Sequence, residues 1–335
     1  MALVRIFLPT YRRPRLLERA IASLRAQTLP DWICELHNDA PDDPVPDQFL
    51  ARLGDSRFQY RCHERNLGGT ATFNLFFRAT PEPFYAMLED DNAWEPDFLS
   101  KMISVAGEHR AATVFWCNQS VWEEQPDGGV RDTHRTVHPL ERETASREIA
   151  WGEPAQIFGA LHAHGAALLR ARAGDDFATA AVPIALVEAF RERQFPYPLV
   201  YVPEPLAQFT RTRQTTRSDN RIEWAIVQTM LAASFLKHAA YDDAQIQALW
   251  RDARARRPPA TGTLLLATFL DPSCRPLRRH ARAGDWLRLL RGLVRRPTLL
   301  ARVIDSKRQH ADWWRSLDVA TAARFAEQRH QAVSA

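Results

Sequence analysis

Three consecutive acidic residues follow an apolar run that has the length of a buried strand. Glu89, Asp90 and Asp91 come directly after residues 84–88. Neighbouring carboxylates repel one another unless a cation or protons neutralise them. Mg²⁺ and Mn²⁺ prefer carboxylate oxygens together with substrate phosphates. The pattern therefore indicates a divalent-cation site, and the alternatives are a solvated acidic turn or a helix N-cap.

Polar segments also follow three other runs that are rich in β-forming residues. Runs of this kind predict strands when turn-forming residues bound them. In open α/β sheets, ligands bind outside the carboxyl ends of the strands, where these polar segments would lie. The strand-like runs and their polar segments are residues 3–8 before 9–14, residues 32–37 before 38–47, and residues 58–62 before 65–77.

Helical patterns separate the strand-like runs. Residues 14–27 begin with Pro14, which suits the first turn of a helix. Alternating strands and helices predict a mostly parallel sheet with crossover helices. Residues 113–117 and 199–202 predict further strands, and the polar, irregular residues 107–152 near them are expected to shape an acceptor cleft. The apolar residues of the first helix recur at helical spacing, namely Leu16, Leu17, Ala20, Ile21 and Leu24.

The composition is that of a folded protein. The chain has 335 residues, of which 45% are hydrophobic and 25% are charged. These values exclude a disordered, collagen-like or coiled-coil chain. The length predicts about two domains, which we place at residues 1–220 and 221–335.

The second of these regions is helical and basic. Apolar residues recur at intervals of three and four from residue 222 onward, and residues 286–304 repeat the pattern among arginines. Residues 221–335 contain 20 Lys and Arg against 10 Asp and Glu. This excess predicts attraction to phosphate or to an anionic membrane surface, or else a solvated basic surface. The region lacks zinc-finger, RNP and basic-zipper patterns, so we expect no nucleic-acid partner.

Neither the apolar runs nor the cysteines indicate a membrane span or a metal knuckle. No run approaches the roughly 18 apolar residues that cross a bilayer, so we expect a cytoplasmic protein, with peripheral contact at the inner face of the membrane as an option. Cys34, Cys62, Cys117 and Cys274 form no CxxC pair, which argues against a zinc knuckle or a disulfide framework. Cys34 and Cys62 lie in strand-like runs and are expected in the core.

Four motifs occur in order along the first part of the chain. They are Pro9-Thr10-Tyr11-Arg12-Arg13-Pro14, Asn38-Asp39, Arg65-Asn66-Leu67-Gly68-Gly69 and Glu89-Asp90-Asp91, and a fifth segment runs from Tyr201 to Ala207. Together they resemble family 2 glycosyltransferases of GT-A fold, over about residues 4–216. The resemblance implies a Rossmann-like, mostly parallel sheet flanked by helices, with a nucleotide-sugar half in residues 1–100 and an acceptor half in residues 101–220.

The resemblance also implies an activity and a cofactor. Family members of this type move a sugar from a nucleotide diphosphate donor, here of UDP or dTDP type, to a hydroxyl acceptor with inversion. In this sequence Asp91 would bind Mg²⁺ or Mn²⁺, Asp90 would contact ribose or a metal-bound water, and Glu89 would support them. The acceptor class expected by analogy is a saccharide or lipid-linked saccharide, as in bacterial surface polysaccharide or glycolipid synthesis.

The remaining motifs are expected to contact the donor. Asp39 would accept hydrogen bonds from base or ribose, although the family's Asp-Asp-Gly-Ser reads Asn38-Asp39-Ala40-Pro41 here. Arg213 stands where many relatives carry histidine and would clamp the diphosphate. The other residues implied are Pro9, Thr10, Tyr11 and Arg13 beside the nucleoside, Arg65 and Asn66 at the base or diphosphate, and Gly68 and Gly69 where backbone approaches the donor.

Inversion requires a general base near the acceptor hydroxyl. The family's usual acidic pair is missing, and Glu188 is the candidate base with Asp176 second. His162 and His164 would share one face of a strand and could contact acceptor or phosphate. Trp94 is expected either near the acceptor or in the core.

Two other classes of protein stay open at this point. A sugar nucleotidyltransferase would need a glycine-rich N-terminal loop, and residues 8–14 contain no glycine. A non-catalytic nucleotide-binding relative is favoured by the missing acidic pair and opposed by Glu89, Asp90 and Asp91.

Overall fold

The computed structural model describes residues 2–76, 78–140, 144–152, 164–171, 198–213, 221–256 and 259–334. These residues divide into two compact units. The first contains the described residues up to 150 together with 164–171 and 198–213. The second contains residues 151–152 and those from 221 onward.

The first unit is built on a ten-stranded sheet with the strand order β3-β2-β1-β4-β9-β6-β10-β5, and β7 and β8 pair with β6 and β10. Strands β3, β2, β1 and β4 are mutually parallel, as are β6 and β10. The strands are β1 Val4–Thr10, β2 Trp32–Asn38, β3 Phe58–Cys62, β4 Phe84–Met87, β5 Ala93–Trp94, β6 Val114–Glu124, β7 Val130–Thr136, β8 Arg147–Ile149, β9 Ala167–Arg170 and β10 Leu199–Arg211.

Four helices connect the first strands. The first carries the predicted apolar face, and all five of its predicted apolar residues are buried. Strand β1 is buried over most of its length, as expected for a central strand of a parallel sheet. The helices are α1 Pro14–Arg25, α2 Val45–Leu53, α3 Gly69–Asn74 and α4 Phe98–Glu108.

The two strands predicted in the middle of the chain are longer than expected. Strand β10 continues past Pro203 and Pro205 to Arg211, and its register against β6 shifts on either side of Pro205. Proline lacks a backbone donor and is tolerated in a sheet at such irregularities, so it did not end the strand. The segment predicted to be irregular contains β7, which pairs antiparallel with β6.

Three side chains test the sequence predictions about the core. Cys34 is buried as expected, but the core prediction for Cys62 is wrong because this thiol is exposed. The reason is that β3 lies at the edge of the sheet, where one side of the strand has no neighbouring strand among the described residues. Trp94 is in the core: it stacks on Phe98 and donates its indole N–H to Gly165 O at 2.6 Å.

The second unit is helical, as predicted. Phe235, Trp250 and Leu264 are fully buried in it. Pro297 divides the predicted basic segment into two helices, because proline cannot continue the hydrogen-bond ladder of a helix. None of the described helices is long and apolar enough to cross a membrane. The helices are α5 Arg221–Ala239, α6 Asp243–Ala255, α7 Thr261–Leu270, α8 Ala283–Arg295, α9 Leu299–Gln309 and α10 Ala311–Ser334.

Candidate functional site

The register of the parallel strands brings the predicted motifs to one edge of the sheet. Phe7 of β1 lies opposite Met87 of β4, so Thr10 is level with the acidic turn that follows β4. The hydroxyl of Thr10 donates to Asp90 Oδ2 at 2.9 Å, and the backbone amide of Tyr11 lies 3.3 Å from the same oxygen. The first and fourth motifs are therefore in direct contact.

Arg13 neutralises part of the charge of this turn. Its Nη1 atom donates to Asp91 Oδ2 at 2.6 Å and to Asp90 Oδ1 at 3.2 Å. The preceding residue, Arg12, has a φ of 55°, a left-handed conformation that reverses the chain between β1 and α1. This turn aims Arg13 at the acidic residues, and its position beside the nucleoside stays a prediction.

One guanidinium does not fully compensate the two carboxylates. Burial, followed by the charge of Asp91, raises the pKa of Asp90 to about 6, although Arg13 and the Thr10 hydroxyl act in the opposite direction. Burial also raises the pKa of Asp91, against the favourable charge of Arg13. A further positive charge near the turn would therefore stabilise the ionised forms of Asp90 and Asp91.

Sequence reasoning missed Arg19, which links the acidic turn to the far part of the sheet. Its Nη1 atom donates to the backbone oxygen of Asp91 at 3.2 Å and to Thr210 Oγ1 at 2.9 Å. Its Nη2 atom donates to Gln208, and the guanidinium lies 5.3 Å from the ring centroid of Trp122. Burial lowers the pKa of Arg19. Helix α1 also carries Arg15 and Arg25, so nothing in the sequence singled out Arg19.

Glu89 braces the acidic turn from within. Its carboxylate accepts a hydrogen bond from the side chain of Asn92, whose Oδ1 accepts from the backbone amide of Thr210 at 2.9 Å. A Cβ atom on Gly165 would lie 3.0 Å from the Glu89 carboxylate and 3.2 Å from Asn92. Glycine at this position therefore leaves room for the close packing of the turn.

Asp39 fastens the glycine-containing loop of the third motif. Its carboxylate is buried and accepts hydrogen bonds from the backbone amides of Leu67 at 2.7 Å and Gly68 at 2.9 Å. The amide of Asn66 donates to the backbone oxygen of Asp39 at 3.0 Å. Gly68 has a φ of 79° and a ψ of 160°, a region that is essentially restricted to glycine. The second and third motifs thus form one hydrogen-bonded unit.

A buried polar chain that the sequence did not predict leads away from Asp39. His63 Nδ1 lies 3.0 Å from Asp39 Oδ1, and His63 Nε2 lies 3.1 Å from His37 Nδ1. His37 Nε2 lies 3.2 Å from Glu35. Ionised carboxylates only accept, so the three contacts together need three imidazole N–H groups, whereas two neutral rings carry two. When all three hydrogen bonds are formed, the two rings therefore carry one proton more than two neutral imidazoles. Burial opposes this additional proton, because it lowers the pKa of His37.

Comparison with known proteins relates the part of the sequence that carries these motifs to a known family. The family model described as Glycosyl transferase family 2 matches residues 5–161, a range that contains all four motifs.

Residues 5–161 are similar to glycosyl transferase family 2. The resemblance drawn from the four motifs is thereby confirmed.

Two curated relatives of this family match part of the chain. The putative colanic acid biosynthesis glycosyl transferase WcaA of Escherichia coli (strain K12) is 27% identical over 103 residues, which are 30% of this chain and 37% of WcaA. The putative glycosyltransferase EpsH of Bacillus subtilis (strain 168) is 28% identical over 117 residues, which are 34% of this chain and 33% of EpsH. The matches span about a third of each relative.

Solved structures support the fold. S. aureus TarS 1-349 in complex with UDP has a TM-score of 0.51 and 13% identity, over 99% of this chain and 92% of that chain. The complex of the same protein with UDP-GlcNAc gives a TM-score of 0.50 over the same shares at 13% identity. The predicted GT-A fold with a helical C-terminal region is confirmed.

The other residues predicted from the family 2 resemblance occupy exposed or buried positions in the described part of the chain, or lie outside it. Arg65 and Asn66 are exposed, and Pro9 is buried within β1. Arg213 is exposed just beyond β10, and its backbone amide donates to Glu124 at 2.8 Å. Glu188, Asp176 and His162 lie outside the described residues. His164 begins a 3₁₀ turn, His164–Ala166, rather than continuing a strand as predicted.

The described residues provide few ligands for a metal ion. In this part of the chain, no group of three or more His, Cys, Asp or Glu side chains could hold one. The family 2 motif offers Asp90 and Asp91, while its third carboxylate, Glu89, accepts a hydrogen bond from the side chain of Asn92. Two carboxylates are typical of sites where the phosphates of a substrate complete the shell of Mg²⁺.

Proposed function

We propose that this family 2 glycosyl transferase moves a sugar from a nucleoside diphosphate sugar to a hydroxyl acceptor, with inversion at the transferred carbon. The observation that carries the proposal is the meeting of Asp90 and Asp91 with Arg13 at the carboxyl ends of the central strands β1 and β4. Ligands of open α/β sheets bind at this edge. An anionic diphosphate needs cationic partners there, and the turn combines one arginine with two cation-binding carboxylates.

The donor is proposed to be of UDP or dTDP type. The TarS structures that share the fold contain UDP and UDP-GlcNAc, which favours a uridine or closely related donor here. The loop of Leu67 and Gly68, fastened by Asp39, would form one wall of the nucleoside site. Exposed Arg65, Asn66 and Arg213 are available to meet the base or the diphosphate.

Asp91, with Asp90 beside it, would hold Mg²⁺ or Mn²⁺. The raised pKa values of both carboxylates fit a cation site, because a bound cation would stabilise the ionised forms that burial disfavours. A divalent ion would supply Lewis-acid stabilisation of the charge on the departing nucleoside diphosphate. Arg13 and Thr10 keep the two carboxylates oriented, and Arg19 fixes the backbone of Asp91.

The acceptor is proposed to be a hydroxyl of a saccharide or lipid-linked saccharide, as in the synthesis of a bacterial surface polysaccharide. The name of the relative WcaA, which refers to colanic acid biosynthesis, favours this class. Glu188 is proposed as the general base that removes the hydroxyl proton, with Asp176 as second candidate.

Donor hydrolysis and transfer assays test the proposed function. The protein is incubated with a panel of UDP-, dTDP- and GDP-sugars, with and without Mn²⁺, and nucleoside diphosphate release is followed. We expect slow release from at least one UDP- or dTDP-sugar, faster release when a saccharide acceptor is added, and an anomeric configuration in the product opposite to that of the donor. Binding of a nucleotide sugar with no release under any condition would instead favour a non-catalytic relative.

A further inference from the structure

Helix α8 carries an exposed apolar strip on the second unit. Leu287, Leu290 and Val294 are 49%, 56% and 81% exposed. Their spacing of three and four residues places them on one face of the helix. Leu289 is buried, so a different face packs on the unit. Single exposed apolar side chains are common, but a contiguous strip of them marks an interaction surface.

Aromatic residues extend this strip beyond α8. Phe269, near the end of α7, is 53% exposed, and its ring centroid lies 6.4 Å from that of Trp286 in an edge-to-face arrangement. Trp286 precedes Leu290 by one turn of α8, so the apolar surface is continuous. Tryptophan and phenylalanine are suited to the boundary between water and lipid.

Arginines line the same exposed half of α8. At 100° per residue, Arg288, Arg291 and Arg295 follow the apolar strip on one side. Among the described residues, no carboxylate forms an ion pair with Arg291 or Arg295. The helix contains one acidic residue, Asp285, which is buried and paired with Arg254 at 2.7 Å and with Arg288 at 3.6 Å. The exposed half of the helix therefore combines apolar and cationic side chains without an acid.

We propose that α8 docks the protein on an anionic lipid surface. The surface is defined by Phe269, Leu287, Leu290, Val294 and the three arginines beside them. An amphipathic helix lying in the membrane interface buries its apolar strip below the headgroups and places basic residues against lipid phosphates. Trp286 would lie at the headgroup level.

The arrangement of charges on α8 favours a lipid surface over the other partners that could bind an exposed apolar strip. A two-fold contact between copies of this chain would bring the arginines of both copies together, which costs energy. A free phosphate or a nucleic acid would engage the arginines and leave the apolar strip in water. An anionic bilayer is the partner that satisfies both features.

Vesicle flotation with the full chain tests the proposal. We expect flotation with vesicles of phosphatidylcholine and phosphatidylglycerol, little with phosphatidylcholine alone, and a reduction at high salt because salt screens the headgroup charge. The variants Leu290→Gln/Val294→Gln and Arg291→Gln/Arg295→Gln should each reduce binding to anionic vesicles at least about tenfold. Arg315→Gln/Val319→Gln is the matched control, since both side chains are exposed on α10.

The outcomes separate this proposal from the proposed sugar transfer. Both α8 variants change exposed side chains, so their thermal midpoints and their release of nucleoside diphosphate in solution should match those of the wild type. Equal binding of the α8 variants and the wild type, or equal binding to neutral and anionic vesicles, would overturn the docking proposal. A loss of self-association on size-exclusion chromatography, with vesicle binding unchanged, would assign α8 to a contact between copies instead.

Discussion

The Nη1 atom of Arg13 lies 2.6 Å from Oδ2 of Asp91, so the N-terminus of α1 is joined to the turn that follows β4. The same nitrogen lies 3.2 Å from Asp90. Asp90, Asp91 and Arg13 thus share a largely buried site, and the charge of Arg19 also acts against the rise in the pKa of Asp91. Removing one partner of such a group leaves the others uncompensated.

Replacing Arg13 with glutamine should destabilise the protein. Asp90 and Asp91 would lose the cation that partly neutralises them, so we expect the free energy of unfolding at neutral pH to fall by about 1–3 kcal/mol. Urea unfolding measures this. Arg52→Gln, on the exposed C-terminal end of α2, is the control and should change stability by less than about 0.5 kcal/mol. Equal effects of the two variants would contradict the importance of the pair.

Asp91→Asn should lower turnover by at least about a hundredfold, because the proposed cation site supplies several kcal/mol of transition-state stabilisation. Excess EDTA should abolish wild-type turnover, and Mn²⁺ or Mg²⁺ should restore it. Nucleoside diphosphate release from a UDP-sugar is the measurement. Asp31→Asn, at an exposed position before β2, should behave like the wild type. Full activity in excess EDTA would refute the metal dependence.

Two glycine substitutions should act in opposite directions. Gly68 has a positive φ, so Gly68→Ala is strained even though no atom lies within 4 Å of the added Cβ, and we expect a loss of about 1–3 kcal/mol. Gly107 lies in helix α4 with equally open surroundings, and Gly107→Ala should stabilise by about 0.5–1 kcal/mol. Thermal midpoints compare the two. Donor affinity should fall only for Gly68→Ala, since Gly68 belongs to the loop held by Asp39.

Stability should depend on acid through Glu35. The hydrogen bond from His37, followed by the charges of Arg5 and Arg78, lowers the pKa of Glu35 from 4.5 to about 2. Between these values the unfolded chain binds more protons than the native state, so stability from this group is present above about pH 4.5 and is lost as the pH falls towards 2.

Urea unfolding from pH 6 downward checks this effect. The stability difference between the wild type and Glu35→Gln should be on the order of 2–3 kcal/mol larger at the upper end than near pH 2. Glu18→Gln, exposed on α1, is the matched control for the removal of a glutamate charge. A difference for Glu35→Gln that does not change with pH would show that its charge is not stabilised by these partners.

Glu188→Gln tests the proposed base. The amide keeps the size of the side chain and removes its basicity, so transfer should fall roughly 10²–10⁴-fold. Donor affinity should hardly change, because the donor motifs lie within the first hundred residues. Transfer rates and nucleotide titrations measure the two effects separately. If transfer stays above about a third of the wild-type rate, Asp176→Asn is the next variant, since Glu188 would then not be the base.

The sequence by itself determined the elements and the motifs of the site. Alternating β-rich and helical runs predicted β1 to β4 and α1. Such runs can be recognised in the sequence because the buried side chains of a strand or helix recur at the period of that element. The acidic residues after the run ending at Leu88 indicated the functional edge of the sheet. The end of a buried strand can be recognised from the local sequence, because an apolar run gives way to polar residues there. The family 2 model matches residues 5–161, which contain all four motifs. The local sequence signals were therefore sufficient to predict the family resemblance.

The partners of these residues were decided only by the tertiary structure. Arg19 contacts Thr210 across 191 residues, and His63, directly after β3, links Asp39 to His37 and Glu35 of β2. No local period encodes such contacts, because they depend on strand order and register. The same holds for Cys62, whose strand reads as a core strand by its residues but lies at the sheet edge. A sequence pattern predicts which side chains are apolar enough to be buried. The strand order decides which of those side chains are covered by a neighbouring element.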